Sequence, residues 1–167
     1  MFDIFLYLCQ KLITMRILAI NPGMISTKIG VFEDEQLLMH ATLNHPFEEL
    51  CRYPFIMDEF DYRKEKVMEE LQRQGYALDF DVVVGRGGLV KPIESGVYEL
   101  NDKVIEDTQH PRLHHACNLG SLMALSIARE IKGCRAFTVD PGVVTNSTTW
   151  RVSPVFPSCL TRPSGMP

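Results

Sequence analysis

Four stretches of this sequence combine residue types that handle anions. Asn21-Pro22-Gly23-Met24-Ile25-Ser26-Thr27-Lys28 is rich in backbone donors and small polar groups, with Lys28 adding a positive charge. A Gly-containing hairpin of this kind aims N–H groups at an anion. No GxxxxGK[ST] string is present, so it is not a Walker A loop. Gly85-Arg86-Gly87-Gly88 sets an arginine among glycines. The glycines let backbone approach a ligand closely, and the guanidinium can grip a carboxylate or phosphate bidentately. His110-Pro111-Arg112-Leu113-His114-His115-Ala116-Cys117-Asn118 holds three histidines within six residues. They form no Cys/His ligand pattern of the zinc type, which speaks against a metal set. A histidine just ahead of a helix can donate to a phosphoryl oxygen instead. Finally, Asp140 precedes Pro141-Gly142, where a carboxylate can orient an attacking group or a metal.

Each stretch also has a plainer reading. These are an ordinary hairpin with a solvated lysine, a flexible turn with an exposed arginine, a loop whose His115 and Asn118 cap a helix, and a turn-initiating aspartate. Taken together, they put Asn/Ser/Lys, Arg, His and Asp on strand ends or adjoining loops. That pattern suits a phosphorylated or carboxylate ligand.

The elements that must position them follow from periodicity. Ile17–Ile20 is a short apolar run, Thr27–Phe32 resumes after the Asn-Pro-Gly turn, and Leu37–Leu43 follows the polar turn 33–36. Three strands joined by tight turns predict an antiparallel meander. Pro46 opens a helical stretch that Pro54 interrupts. Phe60, Lys64, Val67, Met68 and Leu71 then share one helical face, with Gly75 as the C′ residue. Asp81–Val84 reads as a buried strand, Val97–Leu100 as a short one and Asp102–Asp107 as a short helix. Leu119, Leu122, Met123, Ile127 and Ile131 mark a second long helix ending at Lys132-Gly133, and Ala136–Val139 a last strand. The succession is a mixed α/β domain.

Composition bounds the rest. The 167 residues are 46% hydrophobic and 23% charged, values of an ordinary globular domain. A net charge of −4 gives no support to a nucleic-acid or membrane partner. Cys9, Cys51, Cys117, Cys134 and Cys159 are odd in number and widely spaced, without a zinc pattern, which fits reduced thiols in a cytoplasm. Met1–Thr14 is too short to span a bilayer and lacks the features of a signal peptide. Met15 immediately precedes the first strand, so residues 1–14 are expected to be an upstream extension.

The strings INPGxxSTKIxVF, VVGRGGLxKPIxxGxYExN, HxxNLG and FxVDPxVV, spread over Met15–Val144, resemble the butyrate kinases. These belong with acetate kinase in the actin-like, Hsp70 and sugar-kinase superfamily. The resemblance implies an RNase H-like, actin-like N-terminal domain over residues 15–144. It also implies phosphoryl transfer between ATP and a short-chain carboxylate, giving an acyl phosphate and ADP, with Mg²⁺, in a cytoplasmic homo-oligomer. It assigns Asn21, Ser26 and Lys28, with Gly87 and Gly88, to the nucleotide and phosphate side. Arg86 would hold the carboxylate or the transferred phosphoryl group, His115 the equatorial oxygens, and Asp140 the reacting groups with Mg²⁺. The chain departs from the family at Met24 and Ile25, where Ser or Thr is usual, so two hydroxyl donors are absent. Alternatives are another carboxylate kinase, for acetate or isobutyrate, and a non-catalytic anion-binding half-domain. The Gly-Arg-Gly-Gly string argues against an acetate enzyme, in which the resemblance implies a His-Gly-Gly version.

The end of the chain departs further. Every acidic residue lies at or before Asp140, while Thr145–Pro167 contains two arginines and is rich in Ser, Thr and Pro. In the neighbouring reading frame its codons can spell DELxxVARVSGLP followed by SIGHA, which has the family's order and spacing. Residues 145–167 are therefore expected to be an aberrant, frameshifted and disordered tail, with the second kinase domain absent. A chain truncated in this way is expected to have negligible kinase activity by itself.

Overall fold

A computed structural model describes residues 14–88, 96–102, 106 and 115–140. The expected extension 1–14, apart from its last residue, and the expected tail 145–167 lie outside the described residues. So do His110, His114 and most of the expected helix at 102–107.

The described strands are β1 (Arg16–Pro22), β2 (Ser26–Glu33), β3 (Gln36–Asn44), β4 (Val82–Arg86), β5 (Val97–Glu99) and β6 (Arg135–Val139). The helices are α1 (Phe47–Leu50), α2 (Phe60–Arg73, entered from a 3-10 turn at Ile56–Glu59) and α3 (Asn118–Arg129). The strands form one sheet in the order β3-β2-β1-β4-β6-β5. β1, β2 and β3 pair antiparallel as the expected meander. β4 then adds parallel to β1 and β6 parallel to β4, while β5 closes the far edge antiparallel to β6. A meander extended by parallel strands and covered by helices is the RNase H-like, actin-like arrangement of a mixed α/β domain.

Strand alternation sorts the side chains. Leu18, Ile20, Ile29, Val31, Val83 and Ala136 turn to one face of the sheet. There they pack with Val67 and Leu71 of α2 and Leu119, Met123, Ala124 and Ile127 of α3. Each fully buried aliphatic chain in this layer contributes about 1.5–3 kcal/mol of transfer free energy. A side-chain period of two places Asn21, Lys28 and Arg86 on the other face. Asn21 pairs directly with Lys28. The register that aligns Ile20 with Gly85 carries Asn21 alongside Arg86. The three polar residues thus form a row across the C-terminal ends of the parallel strands.

Two expected helix details change. The buried side of α2 is Arg63, Val67, Glu70 and Leu71, whereas Lys64 is half-buried and reaches Ser126 on α3 (2.8 Å) and Glu130 just past its end. α3 ends at Arg129, not at Lys132-Gly133, because the chain must turn at once to enter β6. Gly133 takes a positive φ of 83° in that turn. Gly75 follows α2 with a φ of 79°, as its C′ position requires.

Candidate active site

The β1–β2 hairpin turns through Gly23-Met24-Ile25, and the Gly23 N–H donates to the Ser26 carbonyl at 2.7 Å. Asn21 precedes the turn, and Ser26 and Lys28 follow it. Met24 and Ile25 are 51% and 69% exposed and do not line the pocket described below. The departures from the family pattern therefore lie at the outer tip of the turn.

β4 ends at Arg86, and Gly87 follows with a φ of 88°, a conformation that favours glycine. A Cβ on Gly87 would also stand 2.9 Å from the Cβ of Cys117. The Gly87 carbonyl accepts from two buried hydroxyls, Ser121 Oγ at 3.1 Å and Thr138 Oγ1 at 2.9 Å. Its N–H donates to the Val139 carbonyl at 3.3 Å. The turn that presents Arg86 is thus fastened to both α3 and β6. Gly88 is buried behind it and does not line the pocket.

The same corner is where α3 meets the sheet. Ideal Cβ atoms on Gly85 and Gly120 would lie 2.2 Å from the Gly120 carbonyl oxygen and 2.5 Å from that of Arg86, respectively. Only glycine at both positions lets the first turn of α3 sit against the end of β4.

His115 precedes α3. Its carbonyl accepts from the Asn118 N–H at 2.9 Å, and its Nδ1 accepts from the Cys117 N–H at 3.2 Å. His115 thus bonds the N-cap residue Cys117, whereas Asn118 is not a cap but the first residue of α3. An accepting Nδ1 leaves the proton of the neutral ring on Nε2. Burial holds the His115 pKa below its ordinary value, which favours the neutral ring. Asp140 follows β6 in the left-handed region, with a φ of 44°, and its N–H donates to the Gly96 carbonyl at 3.0 Å.

These segments converge on one pocket of about 250 Å³, lined by Asn21, Gly23, Ser26 and Lys28 of the hairpin, by Arg86 and Gly87, by His115 and by Asp140. Pro22 and Cys117 complete its wall. Its volume falls below the range typical of drug-sized ligands and suits a small anion. Among the described residues of its lining, two cations, an imidazole and hydroxyl and amide groups face one carboxylate. Among the described residues no group of three or more His, Cys, Asp or Glu is placed to share a metal ion. Also among them, no helix is long and apolar enough to cross a membrane.

Several supporting residues escaped the sequence reading. Ser121 and Thr138 are hydroxyls at core-facing positions, and that anomaly is the only mark they leave in the sequence. Arg63 is fully buried in α2 and bonded to Glu59, to the Gly23 and Met24 carbonyls and to Thr27. Thr27 in turn meets His45 Nε2 at 2.8 Å, and His45 Nδ1 is buried with no partner among the described residues. Burial first, then the charges of Arg63 and Lys66, push the His45 pKa down to about 4.

That shift sets an acid sensitivity. Between the unfolded pKa near 6.5 and about 4, the folded state binds fewer protons than the unfolded state, so stability falls as pH drops through this window. The loss attributable to His45 is on the order of 3 kcal/mol, and the lowered pKa of His115 acts in the same direction. Urea unfolding at pH 7 and pH 4 should show it. His45→Gln, which keeps a partner for Thr27 without titrating, should remove most of that part.

No family model matches the chain. A protein of Bacteroides thetaiotaomicron named probable butyrate kinase is 50% identical over 130 residues, covering 78% of this chain and 37% of that protein. A second probable butyrate kinase, from Phocaeicola vulgatus, is 43% identical over 130 residues, covering 78% of this chain and 36% of that protein. Among solved structures, Porphyromonas gingivalis acetate kinase superposes with a TM-score of 0.46 at 17% identity, over 77% of this chain and 37% of that one. The chain thus spans just over a third of the length of the curated relatives it matches. Over those 130 residues the chain is similar in sequence to both probable butyrate kinases.

Proposed function

We propose that this chain carries the carboxylate- and phosphoryl-binding part of a short-chain carboxylate kinase of the butyrate type, a phosphotransferase acting on butanoate and ATP. The observation that carries this reading is the meeting of Asn21, Ser26, Lys28, Arg86, Gly87, His115 and Asp140 in one small pocket. In the reaction, a carboxylate oxygen attacks the γ-phosphorus of ATP, the bond to the β-phosphate oxygen breaks, and the products are an acyl phosphate and ADP. A carboxylate is a weak nucleophile and both reactants are anions, so the protein's task is charge neutralisation and in-line positioning.

Each residue has a part in that task. Arg86 pairs with the carboxylate or the transferring phosphoryl group. The Nε2–H of His115, aimed by the Cys117 N–H on Nδ1, donates to an equatorial phosphoryl oxygen without contributing a titrating charge. Lys28, with Asn21 and Ser26, holds the phosphate side, and Gly87 lets the backbone approach. Mg²⁺ binds through one or two carboxylates plus substrate phosphates, and Asp140, the one acid among the described residues of the pocket lining, fits it. When bound, the ion would offset charge developing on the phosphate oxygens.

Titration of the full chain with butyrate and with inorganic phosphate, followed by backbone and imidazole NMR shifts, tests the reading. Saturable shifts are expected at Asn21, Gly87 and His115. Arg86→Ala should weaken phosphate binding by about 10–100-fold, the worth of a charge-assisted bidentate contact. A wild-type chain whose pocket signals respond to neither anion would overturn it.

A further inference from the structure

The hairpin that contributes Asn21, Ser26 and Lys28 to the pocket is held from behind by one buried side chain. All three nitrogens of the Arg63 guanidinium are engaged. Nε donates to Glu59 Oε2 at 2.7 Å, and Nη2 reaches the same oxygen at 2.7 Å and the Met24 carbonyl at 2.8 Å. Nη1 donates to the Gly23 carbonyl at 2.8 Å and lies 3.4 Å from Thr27 Oγ1. Neither Arg63 nor Glu59 lines the pocket. The next carbonyl of the turn, that of Ile25, accepts from the His45 N–H at 2.9 Å. All three carbonyls of the turn are therefore tied to groups outside the pocket. A carbonyl oxygen facing an anion repels it, so an anion-binding turn must point these oxygens elsewhere.

We propose that Arg63, braced by Glu59, is a positioning residue for the anion pocket. It holds the Gly23 and Met24 carbonyls against α2, away from the bound anion, and so sets where Asn21, Ser26 and Lys28 stand. The proposal rests on reading the pocket as an anion site and adds the device that shapes it. The planar fork of arginine is essential, because an ammonium cannot reach two carbonyls and a carboxylate in one plane.

Arg63→Lys keeps a buried cation beside Glu59 but removes the fork. In the full chain, amide hydrogen exchange at Gly23 and His45 should accelerate about 10-fold or more, while Val67 and Val83 stay at wild-type rates. The affinity for inorganic phosphate, read at Gly87 and His115, should fall about 10-fold. Glu59→Gln leaves Arg63 in place without its brace and should give the same signature at about 3-fold; it decides the matter if Arg63→Lys does not fold. Wild-type exchange and phosphate affinity in a folded variant would overturn the proposal. So would acceleration spread evenly over the sheet, or failure of both variants to fold, since either makes Arg63 a general folding residue. If the wild-type chain binds no phosphate, the anion reading fails, and the exchange pattern alone decides the role of Arg63.

Discussion

Gly85→Ala should destabilise this domain by about 3 kcal/mol or more, at the upper end of the cost of overpacking. The added methyl carbon would stand 2.2 Å from the Gly120 carbonyl oxygen, 2.3 Å from its carbon and 2.7 Å from the Ser121 nitrogen. All three are backbone atoms in the first turn of α3, so no side chain can swing aside. Relief requires moving a helix whose Leu119, Met123 and Ile127 are fully buried. Domains of this size are stable by only about 5–15 kcal/mol, so a substantial unfolded fraction at 37 °C is the expected outcome. Urea denaturation followed by circular dichroism checks it. Gly120→Ala should behave alike, since its methyl would meet the Arg86 carbonyl oxygen at 2.5 Å. Gly75→Ala, with open space around it and only a positive φ to sustain, should cost about 1 kcal/mol.

Arg63→Met is the second large effect, expected at about 3–5 kcal/mol. Methionine fills much of the same volume, so the loss is electrostatic. Glu59, only 6% exposed, would keep a buried charge without its partner, and two turn carbonyls would lose their donors. A pairwise control separates these terms. Glu59→Leu combined with Arg63→Met removes the stranded charge and should recover part of the stability, because replacing both ions of a buried pair is far milder than replacing one. Urea midpoints for the single and double variants give the comparison. A double variant no more stable than Arg63→Met would place the whole cost on the unbonded carbonyls.

The contrast between what was legible and what was not follows from range. The meander was readable because its turns, Asn-Pro-Gly and the polar run at 33–36, are local signals flanking apolar alternation. The two long helices were readable from one face each. Arg63 was not, because a charged residue in a helix reads as solvated. Its burial depends on carbonyls 40 and 39 residues away, at Gly23 and Met24. The end of α3 was misplaced because Lys132-Gly133 satisfies a C-terminal rule locally, while the entry into β6 at Arg135 demands an earlier stop. The site residues were individually visible as polar groups at strand ends. Their meeting was implied by the family resemblance and not by local pattern, since it needs β4 beside β1 and β6 beside β4, and nothing local in the sequence specifies that order. Ser121 and Thr138 show the same limit: each matters for a carbonyl on a third segment, 34 and 51 residues away.

The φ of 44° at Asp140 bears on how this pocket should be probed by mutation. Alanine there would remove the carboxylate and at the same time force a Cβ-bearing residue with no local polar compensation into a left-handed backbone. Asp and Asn enter that region more easily than other residues, because a short polar side chain can bond to nearby backbone. An alanine scan would therefore merge two losses into one number and overstate the chemical role of the acid. Asp140→Asn keeps the backbone geometry and the size while deleting only the charge, so the difference between the two variants measures what the turn itself demands.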